Sequence, residues 1–368
     1  MIFIMKRLFI LLLGLLGSSE ILLADEPESQ HYEGRWVILP YAGYTPETSL
    51  MFGGMAMHQF KPGGAGEETR SSNLIFAATY SLNRQFMLEM TPNVIFHDET
   101  LILDGRHEYS FFPENYWGVG ADVSDEAEAD IEYRQFVFNQ AVLFRVVPEL
   151  HFGPVIRWSR LTDISFPGDS NQFAGPDATE ISEGSTLYGA GFSIRHDRRN
   201  SLITPTENYY LEFTGMLYPD FIGNTHPHSS WLVDARHYSD LSGDRSSVLG
   251  FHFRSLFMTG EPPFQEYALI GGREIMRGYY EGRFRDNNSM QIQAEYRRHI
   301  YWRFGATLFA AAGEVWNRFD EISLINPKIS AGAGLRFNLN PEDTTHLRVD
   351  YGVGRHGSGL YITIGEAF

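Results

Sequence analysis

The chain has 368 residues, with 29 Lys and Arg against 46 Asp and Glu, a formal net charge of −17. So acidic a chain is a poor partner for polyanions, which argues against nucleic acid. It has no cysteine, which excludes a disulfide scaffold, a thiol nucleophile and a Cys zinc site.

At the amino terminus, Met5-Lys6-Arg7 precedes the apolar run Leu8–Leu16, followed by small and polar residues up to Ala24. That is the plan of a secretory signal, with cleavage expected near Ala24–Asp25. We therefore expect a signal peptide over 1–24, a short periplasmic segment over 25–34 and one barrel domain over 35–368. No later stretch offers the ~18 apolar residues that a membrane helix needs.

From residue 35 onward the chain alternates. In Met290–Ile300, Met290, Ile292, Ala294, Tyr296 and Ile300 share a face, with Arg298 the exception. Gln291, Gln293, Glu295, Arg297 and His299 take the other. Leu347, Val349, Tyr351 and Val353 oppose His346, Arg348, Asp350 and Gly352 in the same way. Period two marks strands with two different faces. The polar face carries charges of both signs mid-strand, including Asp104, Arg106, Glu108, Asp234, Arg236, Arg254, Glu295, Arg297, Arg348 and Asp350. A soluble sandwich buries its apolar face. Here a water-filled lumen, with the apolar face toward lipid, explains the pattern best.

The strands are expected at 35–44, 48–60, 71–81, 85–96, 101–110, 131–146, 149–160, 185–195, 207–218, 230–239, 246–258, 288–300, 303–313, 327–338, 345–354 and 359–368. The predicted fold class is all-β, a transmembrane antiparallel β-barrel of about sixteen strands. With an even number, both ends of the barrel chain lie on one side, the periplasm. The long connections 111–130, 161–184, 219–229, 259–287 and 314–326 then all fall on the outer side, and most periplasmic turns are short. The last expected strand ends on the aromatic Phe368. That makes Tyr361, Ile364 and Phe368 a candidate C-terminal assembly signal, read by the barrel assembly machinery during biogenesis.

The longest connection, 259–287, contains Met276-Arg277-Gly278-Tyr279. This resembles the (Val/Ile)-Arg-Gly-(Phe/Tyr) motif of the BamA/TamA family, or bacterial surface antigen family. Further stretches resemble that family in the same order: Leu39–Thr48, Tyr116–Gly120, Asp197–Asn200 with Pro205-Thr206, Ala294–Arg297, Phe309–Trp316, Ser330–Phe337 and Leu347–Tyr351. The resemblance covers essentially the whole mature chain. It implies an outer-membrane barrel for protein insertion, translocation or lipid transport. It also implies a sixth loop folded into the lumen, its Arg bonded to acids on the wall. Arg277, Gly278 and Tyr279 would form this latch, with Glu295 the acceptor on the lumen face. Where the family often has Phe-x-Asp-x-Gly, this chain has Phe309-Ala310-Ala311-Ala312-Gly313, so Ala311 stands in place of the Asp and Asp350 is the expected substitute. The family's periplasmic POTRA domains have no room in 25–34, so the resemblance is to a POTRA-less branch.

Other expectations are kept beside this one. A passive channel or structural surface barrel would share the pattern without the activity. A lipid hydrolase would centre on His356 and Ser358, but residues two apart in a Gly-rich turn rarely align as base and nucleophile, and no catalytic residue is assigned. No metal or cofactor is expected. The expected partners are outer-membrane lipid and lipopolysaccharide, with a separate periplasmic partner an open possibility.

Overall fold

The computed structural model describes residues 34–63, 69–96, 98–167, 184–322, 327–340 and 345–368. The expected signal over 1–24 and all but Gly34 of the segment 25–34 lie outside the described residues. Gly34–Phe368 forms one compact unit.

Sixteen long strands close into a barrel through antiparallel neighbours. They are β1 (Arg35–Thr45), β2 (Ser49–Phe60), β3 (Ser72–Ser81), β4 (Phe86–Phe96), β5 (Leu101–Phe111), β7 (Ala129–Val147), β8 (Leu150–Ser165), β9 (Ser185–Asp197), β10 (Asn208–Tyr218), β11 (His228–Asp240), β12 (Ser247–Gly260), β15 (Asn288–Tyr301), β16 (Phe304–Trp316), β17 (Lys328–Asn340), β18 (Thr345–Gly354) and β19 (Gly357–Ile364). The short β6 (Glu114–Tyr116) pairs with the start of β7. β13 (Ala268–Ile270) and β14 (Phe284–Asp286) form a hairpin of their own within the longest connection. No described helix is long and apolar enough to cross a membrane.

Alternation sets the two faces. On β15, Gln291, Gln293, Glu295 and Arg297 are buried inside, while Ile292 and Tyr296 are exposed outside. The outward faces of many strands carry large apolar side chains, among them Phe76, Leu88, Phe152, Ile156, Leu308, Leu335 and Tyr351. An apolar belt of that extent cannot face water at equilibrium, and hydrocarbon is its natural solvent.

Two sequence expectations need correction. The last strand was expected to run to Phe368, but it ends at Ile364. Gly365 takes φ +89°, a left-handed conformation that glycine adopts without strain, and the last four residues turn into the barrel. The alternation explains why: had the strand continued, Glu366 would have followed Ile362 and Ile364 onto the outward face, where a carboxylate is costly. The interior is also not uniformly water-filled. On the wall built by the last strands, Glu295, Asp350 and Arg348 are buried, because a loop and the chain's end fill that side of the lumen.

The sheet closes at its weakest join. β1 pairs with β2 over its whole length, but meets β19 only at Tyr44–Ile362. Among the described residues, the remainder of β1 toward Arg35 has no strand on that side, and Trp36, Ile38 and Leu39 are exposed there. Pro40, which has no N–H, lies on this open edge, a common way of blunting unwanted strand pairing.

Candidate functional site

The connection between β12 and β15 enters the lumen as a built structure. Its base is the β13–β14 hairpin, and it is pinned to the wall by amides. Gln291 Nε2 donates to Leu269 O at 2.9 Å, and Gln293 Nε2 donates to Glu274 O at 3.1 Å. An apolar cluster of Ile270, Ile275, Met276, Tyr279, Phe284, Ala311 and Val315 seats it. Ala311 therefore packs beneath the loop, and a carboxylate there would have lain inside this apolar contact.

At the tip, Arg277 is fully buried. Its Nη2 donates to Glu295 and its Nη1 to Asp350, and its guanidinium lies 3.6 Å from the centroid of the Phe309 ring. Such charge-assisted bonds are about twice as strong as neutral ones. Gly278 has φ +112°, and a Cβ there would sit 2.7 Å from the Val353 nitrogen. The loop backbone thus lies directly on the backbone of β18. The Gly278 N–H donates to the Tyr361 hydroxyl at 3.0 Å, which ties the loop to the final strand. The Tyr279 hydroxyl donates to Ile329 O at 3.1 Å and accepts from the Arg355 N–H at 3.2 Å.

The wall charges continue beyond the expected set. Arg297 Nε donates to Glu295 at 2.7 Å and stands 3.6 Å from Glu366. Arg336 Nε donates to Glu366 at 2.7 Å, and its Nη1 donates to Asp350 at 2.5 Å. The groups Arg277, Glu295, Arg297, Glu366, Arg336 and Asp350 therefore close a six-membered ring of alternating sign. Arg297 also donates to Pro205 O at 3.1 Å and to the main-chain oxygen of Phe368 at 2.9 Å. Phe368 itself is buried against Tyr238 and Val248, with its ring 5.0 Å from that of His252.

The structure thus brings together Arg277, Gly278, Tyr279, Glu295, Asp350 and Tyr361, and places Phe368 on the same side of the lumen. Ile364 stands apart, exposed on the outer face. Sequence reasoning missed Arg336, Glu366 and the linking part played by Arg297. One signal was available: Glu366 breaks the parity of the last strand, directly after a glycine.

A second contact fixes the loop from above. Arg283 Nη2 donates to Asp125 at 2.5 Å and to Val123 O at 2.9 Å. The Gly120 N–H donates to Arg285 O at 2.8 Å, and Trp117 packs edge-on against Tyr280 at 5.1 Å. The hydrogen bond from Arg283 holds the Asp125 carboxyl below its ordinary range. Glu281, whose N–H donates to Glu47 at 2.8 Å, is pushed up to about 7 by desolvation and then by the Glu47 charge. His356 faces Asp125 at 3.2 Å. Among the described residues no hydrogen bond joins it to Ser358, so the base–nucleophile pair of the hydrolase expectation is not assembled.

A family model described as the Omp85 superfamily domain matches residues 73–368. No curated protein matches. Among solved structures, the crystal structure of BamA from Haemophilus ducreyi lacking POTRA domains 1–3 is similar at TM-score 0.62 and 13% identity, covering 91% of this chain and 70% of that one. CdiB from Escherichia coli is similar at TM-score 0.57 and 11% identity, covering 90% and 63%. CdiB from Acinetobacter baumannii is similar at TM-score 0.54 and 12% identity, covering 90% and 59%. At these identities the likeness is one of fold.

Proposed function

We propose that this chain, which belongs to the Omp85 superfamily, is a gated outer-membrane barrel that moves or inserts a polypeptide or lipid client without covalent chemistry. One observation carries the reading. The loop between β12 and β15 is locked inside the lumen by Arg277 on Glu295 and Asp350, directly beside a seam closed at one residue pair. A lumen sealed by a charged latch suits a gate better than a standing pore. A half-open edge suits lateral exit better than a structural shell does.

In this reading the latch is Arg277, Gly278, Tyr279, Glu295 and Asp350, and displacing it would open the lumen. Both chain ends of the barrel would face the periplasm. Outer-membrane lipid, lipopolysaccharide and a client are its proposed partners. Tyr361, Ile364 and Phe368 remain the proposed assembly signal, read before the barrel closes. BamA and CdiB, which share the fold, lend the translocation reading its class.

The test is planar-bilayer conductance of the folded protein beside a deletion of residues 271–283. A small, flickering wild-type conductance that grows on deletion is the expected result. A large, steady conductance indifferent to the deletion would replace the gate with a passive channel.

A further inference from the structure

The alternating ring joins two separate parts of the molecule. Arg277 belongs to the lumenal loop, and Glu366 belongs to the end segment Gly365–Phe368. Between them stand two acids, Glu295 and Asp350, and two cations, Arg297 and Arg336, all four fixed on wall strands. Around the ring each acid stands between two cations and each cation between two acids, and Arg336 also reaches across it to Glu295 at 3.9 Å. Two further side chains touch it from outside: Arg348, 3.6 Å from Asp350, and the His346 imidazole, 2.7 Å from Glu366.

We propose that this ring couples the loop to the seam. Arg297 and Arg336 are positioning residues that make seating of the loop and tucking of the end segment one cooperative step. The inference rests on the gated-barrel reading and supplies its regulation.

The reason is competition for partners. With Arg277 withdrawn, Glu295 and Asp350 draw harder on Arg297 and Arg336, the same two cations that hold Glu366. The end segment is then held less firmly. Neutralising Glu366 acts in reverse: it frees Arg297 and Arg336 for Glu295 and Asp350, and loosens Arg277. Coupling of this kind is reciprocal, and charges that share partners do not contribute additively.

The strand edge offered to a released end segment is that side of β1, which is open among the described residues. Continuing the Tyr44–Ile362 register pairs Gly365 with Tyr41, Glu366 with Pro40, Ala367 with Leu39 and Phe368 with Ile38. That arrangement zips the seam but turns Glu366 outward with Ile362 and Ile364. The ring-bound position is therefore the resting one while the loop is seated.

Disulfide trapping tests this cleanly, because the chain has no native cysteine. The reporter is Leu39→Cys with Ala367→Cys in the full chain in lipid bilayers. The control is Tyr44→Cys with Ile362→Cys, which reads the pair already present. With the ring intact, the control crosslinks and the reporter stays near background. Arg277→Ala and Glu366→Gln should each raise reporter crosslinking at least fivefold with the control unchanged. The double variant should rise no further than the stronger single one. A reporter that stays at background in Arg277→Ala, or a double variant whose effect is the product of the two singles, would overturn the proposal. Should Arg277→Ala lose the control crosslink, Arg277→Lys carries the test, with an intermediate rise expected and background again overturning it. These outcomes are separate from conductance: a loop deletion without effect would remove the gate and leave the crosslinking result standing.

Discussion

The two sides of the lumen are written in the same sequence pattern and obey different physics. On β15 and β18, Glu295 and Asp350 are wholly buried and held by arginines of the loop and wall. On β4 and β5, Arg106 pairs with Glu89 at 3.6 Å and Glu108 at 3.0 Å, yet 58% of its side chain is exposed. Alternation places charges on the inner face in both cases. What fills the lumen decides whether those charges are dry. Dry charges must be matched one for one, whereas wet ones tolerate loose partners because water completes them.

The sharpest way to break this comparison is to remove a cation from each side. Arg277→Ala leaves two buried carboxylates short of a partner, and breaking a buried pair by removing one member costs about 3–5 kcal/mol. The folded barrel should then lose its resistance to heat in detergent at a clearly lower temperature than wild type, and its conductance should rise. A variant matching wild type in both would mean that the loop is held by its apolar cluster alone.

Next in size is Gly278→Ala. Its side chain would meet the Val353 backbone in a conformation that L residues rarely adopt, a strain of about 1–3 kcal/mol. Loop seating should weaken while every charge of the ring remains. The same conductance assay ranks the two variants, with a smaller rise expected for Gly278→Ala, which keeps its charge pairs, than for Arg277→Ala.

A third prediction concerns pH. Glu281, although its side chain is exposed within the lumen, is pushed up to about 7 because desolvation by the surrounding loop and wall, and then the neighbouring Glu47, disfavour its charge. A folded-state value above the ordinary carboxylate one means that the seated loop binds this proton more tightly than the released loop. Seating is therefore strongest below the ordinary carboxylate range and weakens as pH rises toward about 7. Conductance should rise across that window, and Glu281→Gln should flatten the dependence. An unchanged profile in the variant would assign the titration elsewhere.

Much of this architecture was legible beforehand, for physical reasons. Strand positions follow from period two, and they were readable wherever one face meets lipid, as on β15 and β18. Arg277 on Glu295 was legible through the family resemblance and the parity of β15, with Asp350 as the substitute for the residue missing at Ala311. Arg336 was not, because its partners lie on β18 and in the end segment, and no local spacing encodes that meeting. The inward turn at Gly365 was misread as a strand because an aromatic end suggests a membrane-facing finish. Glu366 on the apolar face was the contrary sign. That a loop enters the lumen was legible only through the family resemblance, because alternation records which way a residue points and says nothing about what stands opposite.

The smallest expected effect completes the comparison. Arg106→Ala removes a lumenal cation with two acidic neighbours, the same kind of change as Arg277→Ala on paper. Here water already surrounds the guanidinium, and Glu89 and Glu108 can be hydrated where they stand. Exposed pairs of this kind contribute about 0.2–1 kcal/mol, so heat resistance in detergent should stay within a few degrees of wild type. A collapse as large as that of Arg277→Ala would show that this wall is sealed too, and the distinction between a dry and a wet side of the barrel would have to be given up.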